Sequence, residues 1–225
     1  MPKKALEQEA IKYPRRTNRK IKTRANIVLA ANQLFKEQGY KDTTMHAIAD
    51  RADVHVTTVF NHFASKADII SELVDSSLGE INEDIQKQKD STSFFDFMRD
   101  EITLGANLQK ENINAYDPVY GNNESLFLWD DPSATLAWIQ YEVKKAQLLA
   151  DYFAHEYGLD RATDIRADLV AGMLVTGTIE SFQRWRRSPD TIDLNTESRK
   201  VVDQVERFVK GEGISKKAKK TTKKK

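Results

Sequence analysis

The chain has 225 residues, 40% of them hydrophobic, with nine glycines, five prolines and no cysteine, a composition that suits a globular core and excludes disulfides, thiolate metal sites and cysteine nucleophiles. The longest apolar run near the start, residues 27–31, is too short for a signal peptide or a membrane span, so the chain reads as soluble and cytoplasmic. The net charge of +1 hides a division: 13 Lys/Arg stand against 6 Asp/Glu in residues 1–66, 15 against 28 in residues 67–213, and residues 214–225 hold seven lysines and no acid. A basic head on an acidic body points to a polyanion bound at one end.

Helical spacing dominates, without a convincing strand alternation or a long repeat, so the fold class is all-α. Ile27, Ala31, Leu34 and Phe35 define one face of a helix over about 20–38, and Gly39 stands where an αL terminator is wanted. Thr43 or Thr44 caps a short second helix through Arg51. A third begins near His55 and stops by Phe63, and Ser65-Lys66-Ala67-Asp68 has the form of a capping box opening a long fourth. Ile70, Leu73, Val74, Leu78, Ile81 and Ile85 line that fourth helix.

Ser93 and Asp96 open a further helix, after which periodicity fails over residues 111–131, an asparagine-rich stretch read as a loop with at most one short helix. Asp131-Pro132 supplies a cap and a first-turn proline for a helix ending near Gly158. The next spans about 162–187 with Ile165, Leu169, Met173, Ile179 and Phe182 expected inward, and Pro189 stops it. Its Gly172 and Gly177 cost stability that close approach of another helix would offset, which places this helix at a dimer seam. A last helix, about 196–210, carries Val201, Val205, Phe208 and Val209.

Two short helices joined by a tight turn, the second hydroxyl-rich at its start, form a helix-turn-helix pattern, and one such helix fits the major groove end first. Ile48, Ala49, Val54 and Val59 are expected to pack inward, leaving His46, Val56, Thr57, Thr58, Asn61 and His62 outward. Competing readings of "HVTTVFNHF" fare worse. His55 and His62 lie two turns apart, whereas a helical chelate wants a spacing of about three or four. No nucleophile elbow, dinucleotide fingerprint or P-loop is present, so neither catalysis nor a cofactor is expected.

The strings Arg24-x-x-Ile27-Val28-x-Ala30-Ala31-x-x-Leu34-Phe35-x-x-x-Gly39-Tyr40, Thr43-Thr44-x-x-x-Ile48-Ala49-x-x-Ala52-x-Val54 and Thr58-Val59-Phe60-x-His62-Phe63-x-x-Lys66 resemble the N-terminal DNA-binding domain of TetR-family transcriptional regulators, densely over residues 20–70. The resemblance implies a three-helix DNA-binding domain followed by a larger helical domain that binds a small effector. It also implies a homodimer, paired through the last two long helices, that binds a palindromic operator in double-stranded DNA, usually as a repressor. On this reading residues 1–19 are a basic flexible arm, 20–66 the helix-turn-helix domain, 67–213 the effector-binding and dimerisation domain, and 214–225 a disordered lysine-rich tail.

Carried onto this sequence, Thr44 and His46 match second-helix positions that touch DNA. Val56, Thr57, Thr58, Phe60, Asn61 and His62 match the recognition helix, Lys66 matches a phosphate-gripping lysine, and His55 replaces a common capping serine. Three departures stand out: Asp53 replaces a turn glycine, Thr57 a glycine or proline, and Phe60 a tyrosine whose hydroxyl reaches a phosphate. Lys12, Arg15, Arg16, Arg19, Lys20, Lys22 and Arg24 are expected to contact phosphates. Met98, Phe127, Trp138, Tyr141, Met173 and Thr176 are the expected lining of an effector pocket entered through 111–131. The alternative is a lysine-tailed architectural protein that coats DNA without sequence choice.

Overall fold

The computed structural model describes residues 14–111 and 132–211, which form eight helices and no strand. In chain order these are α1 (Pro14–Asp42), α2 (Met45–Arg51), α3 (Val56–His62), α4 (Lys66–Gln88), α5 (Phe94–Glu111), α6 (Pro132–Tyr157), α7 (Arg166–Arg187) and α8 (Leu194–Val209). Two compact units separate among them. The first holds the residues up to Gln88 and those from Gly105 to Leu148; the second holds Lys89–Leu104 and the residues from Leu149 on.

The first unit is built on one apolar cluster. Ile27, Ala31, Leu34 and Phe35 of α1 recur at helical spacing and meet Ile48 and Ala49 of α2, Val59 of α3, Phe63, and Ile69, Ile70, Leu73, Val74 and Leu78 of α4. Ala137 and Tyr141 of α6 complete it. Helix α1 begins at Pro14, earlier than the expected 20, because proline suits a first helical position where no amide donor is needed. Helical geometry breaks at Gly39, but not in the expected αL conformation: φ is 83° and ψ 162°, an extended region that only glycine enters cheaply.

Thr44, rather than Thr43, caps α2, its hydroxyl accepting from the Ala47 amide at 3.0 Å. Thr43 is buried and donates to the Gly39 carbonyl at 2.7 Å. The α2–α3 turn runs through Asp53 at φ 52°, the left-handed conformation that aspartate tolerates in place of glycine. His55 then caps α3, its Nδ1 accepting from the Thr57 amide at 3.3 Å. The capping box at α4 forms reciprocally, Ser65 N donating to Asp68 at 2.8 Å and Asp68 N to Ser65 Oγ at 3.3 Å.

In the second unit Phe94 stands edge-on to Phe95, Tyr152 and Phe153, with ring centroids 5.2 to 5.5 Å apart. Met98 is buried in the same unit. Helices α7 and α8 pack together, with Gly177 against Val201 and Ser181 Oγ donating to the Glu197 carbonyl at 3.4 Å; Ala167, Val170, Ala171, Leu174, Val175 and Phe182 of α7 and Leu194, Val202 and Val205 of α8 are buried. The inward face expected for α7 is therefore largely wrong. Ile165, Leu169 and Met173 are 66%, 55% and 40% exposed, while the smaller alanines and valines of the opposite face are buried. The two glycines of α7 also part company. A Cβ on Gly177 would fall 2.3 Å from Val201 Cγ1, so the close helix it admits is α8 of the same chain; a Cβ on Gly172 would meet nothing within 4 Å.

Candidate nucleic-acid interface

Helix α3 is only seven residues long and cannot stand alone in water; its place comes from contacts. Val59, fully buried, and Phe63, at its C-terminal cap, anchor it in the core. One turn of helical geometry then decides what faces out: Thr57, Phe60 and Asn61, spaced i, i+3 and i+4, all lie exposed on the side away from Val59, with Phe60 at 50%. Thr44, His46 and His55 are exposed beside them on α2 and the turn. Thr58 is half-buried.

Thr58, expected outward, thus sits deeper, and so do two others. Val56 is partly buried against the core, because an apolar β-branched side chain one turn before Val59 can reach the same cluster. His62 is half-buried beside Phe63. Desolvation, and then the positive charges of Arg24 and Lys20, hold its imidazole below the ordinary value of 6.5. The fold thus favours neutral His62. Its contribution to stability is complete above 6.5 and is lost as pH falls through the lowered folded value. Between about pH 7 and 5 the melting temperature of the wild-type chain is expected to fall more than that of His62→Gln; equal falls contradict this assignment.

Basic side chains divide into two groups. Arg15, Arg16, Arg19, Lys20 and Lys22 are exposed along the first turns of α1, as phosphate contacts require; Lys12 lies outside the described residues. Arg24 does not belong with them. Its Nε and Nη2 donate to the two carboxylate oxygens of Glu72 at 2.9 and 2.7 Å, and its Nη1 donates to the His62 carbonyl at 2.7 Å. Its guanidinium carbon lies 4.0 Å from the Phe63 ring centroid. The residue assigned to phosphate from sequence is engaged inside the domain.

A signal for this was present: Arg24 shares the stripe of Ile27, Ala31 and Leu34, so a cation there points toward the core and needs a partner. Lys66 is likewise engaged, donating to the Tyr40 carbonyl at 2.6 Å and lying 4.3 Å from the Tyr40 ring centroid. That geometry closes the C-terminal end of α1 with the ammonium expected on a phosphate.

The residues of the expected effector lining belong to both units. Trp138 and Tyr141 pack onto the core cluster of the first unit. In the second unit Met98 is buried, whereas Met173 and Thr176 line an open groove of about 860 Å³ along α7 and α8, together with Leu169, Gly172, Val201 and Phe208. Phe127, residues 112–131 of the expected pocket entrance, and residues 212–225 lie outside the described residues.

Residues 27–73 match the family of bacterial regulatory proteins, tetR family. Over 48 residues, 21% of each chain, the sequence is 44% identical to the HTH-type transcriptional regulator TcmR of Streptomyces glaucescens. Over 193 residues, 80% of each chain, it is 25% identical to the HTH-type transcriptional activator FasR of Mycolicibacterium smegmatis. The fold agrees with that of the TetR-family transcriptional repressor FadR of Thermus thermophilus, solved in complex with lauroyl-CoA, at TM-score 0.64 and 21% identity, covering 86% of this chain and 96% of that one. Residues 27–73 thus match a helix-turn-helix domain of the tetR family, and the chain as a whole shares its fold with the TetR-family repressor FadR.

Proposed function

We propose that the chain reads a palindromic operator as a homodimer, represses by occupying it, and is released when a small effector binds the helical body. The observation that carries the DNA-reading step is the outward face of α3, where Thr57, Phe60 and Asn61 stand together on a helix whose opposite side, at Val59, is buried. An amide such as Asn61 discriminates base edges by paired hydrogen bonds, and an exposed aromatic ring contributes apolar contact. Arg15, Arg16, Arg19, Lys20 and Lys22 add a sequence-blind, salt-sensitive term.

A homodimer is supported by the apolar outer face of α7 and α8. Ile165, Leu169, Met173 and Phe208 are all exposed there, and Gly172 leaves its backbone open to approach. A second copy covers such a face isologously and holds two recognition helices for two half-sites. In this reading residues 1–19 supply basic phosphate contacts, those from Pro14 on from the first turns of α1, while 20–66 are the reading head, 67–213 the effector and dimer domain, and 214–225 a lysine tail that adds phosphate affinity. The protein works in the cytoplasm; none of the described helices is long and apolar enough to cross a membrane.

The test is the base preference of Asn61→Ala. Against DNA variants at each operator position, this substitution is expected to relax discrimination at one position of each half-site by about 1–3 kcal/mol. Equal weakening on every sequence contradicts the assignment.

A further inference from the structure

We infer that Arg24 and Glu72 form a positioning pair that sets the orientation of the recognition helix, an inference that rests on the DNA-reading function proposed above. Three elements converge on one guanidinium. Arg24 belongs to α1, Glu72 to α4, and the His62 carbonyl and Phe63 ring to the C-terminal end of α3. The last carbonyls of a helix have no partner within it, and in a helix of two turns one such bond fixes a large share of the end. Arg24 supplies that bond with Nη1, while Glu72 takes Nε and Nη2 in a two-pronged pairing that fixes the plane of the fork. Phe63 below the fork sets its height.

Stability alone is a weak account of this arrangement. Both side chains are more than a third exposed, and ion pairs so placed contribute little to folding. Orientation is different, because base-edge contacts require the helix to enter the groove at one angle, and loss of the fork frees that angle. A lysine keeps the charge of Arg24 but has no planar fork, so it cannot hold Glu72 and the carbonyl together.

Charge and geometry make opposite predictions for Glu72, and the experiment exploits this. Affinity of the full-length chain is measured for a duplex selected from a random pool and for a random-sequence duplex of equal length, across a salt series. Arg24→Lys is expected to lower affinity for the selected duplex by about tenfold, leaving the random duplex and the salt slope nearly unchanged.

Glu72→Gln, which keeps Arg24 and serves if Arg24→Lys fails to fold, is expected to do the same. Removing a negative charge would by itself tighten binding to DNA, so unchanged or tighter binding by Glu72→Gln overturns the inference. So does equal weakening on both duplexes with a salt slope lower by about one, which would make Arg24 a phosphate contact. A lower melting temperature with an unchanged ratio between the duplexes assigns the pair to stability and also overturns it. A wild-type chain with no preference for the selected duplex is a distinct result, and it overturns the parent reading.

Discussion

Leu169→Asp is expected to convert the proposed dimer to monomers at micromolar concentration and to weaken binding to the proposed operator by about a hundredfold or more, since two half-sites then no longer act together. Leu169 is 55% exposed in the protomer and lines the groove with Met173 and Phe208, so a carboxylate there costs the isolated chain little. In a dimer the same carboxylate is buried against an apolar partner face without a counter-charge, which is strongly unfavourable. Sedimentation gives the mass and a binding titration the affinity. A dimer of normal affinity for this variant would move the seam away from the outer face of α7 and α8.

Phe63→Ala is expected to cost the head about 3–5 kcal/mol, a large part of the stability of a domain of ordinary size. Phe63 is 2% exposed, closes α3 by donating its amide to the Val59 carbonyl at 2.9 Å, and carries the Arg24 guanidinium above its ring. Its removal leaves a cavity beneath both the recognition helix and its fastening. Phe63→Leu, which retains most of the volume, is expected to cost less than about 1.5 kcal/mol. Thermal and denaturant unfolding measure both; a loss below about 1 kcal/mol for the alanine variant contradicts the packing described.

Local chemistry explains why the head was so legible in the sequence. Thr44, His55 and Ser65 each cap the helix that follows, and Asp53 turns the chain between α2 and α3; caps and turns act within a few residues and leave their mark there. The body shows where such reasoning stops. Helix α7 is apolar on two sides, and periodicity does not say whether the chain itself covers Ala167, Val170, Ala171 and Leu174 or Ile165, Leu169 and Met173. Residue size favours the second set, whereas the fold buries the first. The effector lining meets a related limit. Met98, Trp138 and Tyr141 are aromatic or sulfur-bearing like pocket residues, but such residues fill cores equally well, and only long-range packing tells the two apart.

Arg24 illustrates the same limit within the head. Composition places it among the cations of the arm; its position on the stripe of Ile27 and Ala31 turns it toward the rest of the domain, and the second consideration wins once Glu72 is brought alongside.

The most direct test of sequence-specific reading by α3 is enrichment of bound duplexes from a random DNA pool by the full-length chain. Two inverted half-sites should emerge for the wild-type chain, with the preferred base at one position of each lost in Asn61→Ala. A pool that stays random after repeated selection would contradict it.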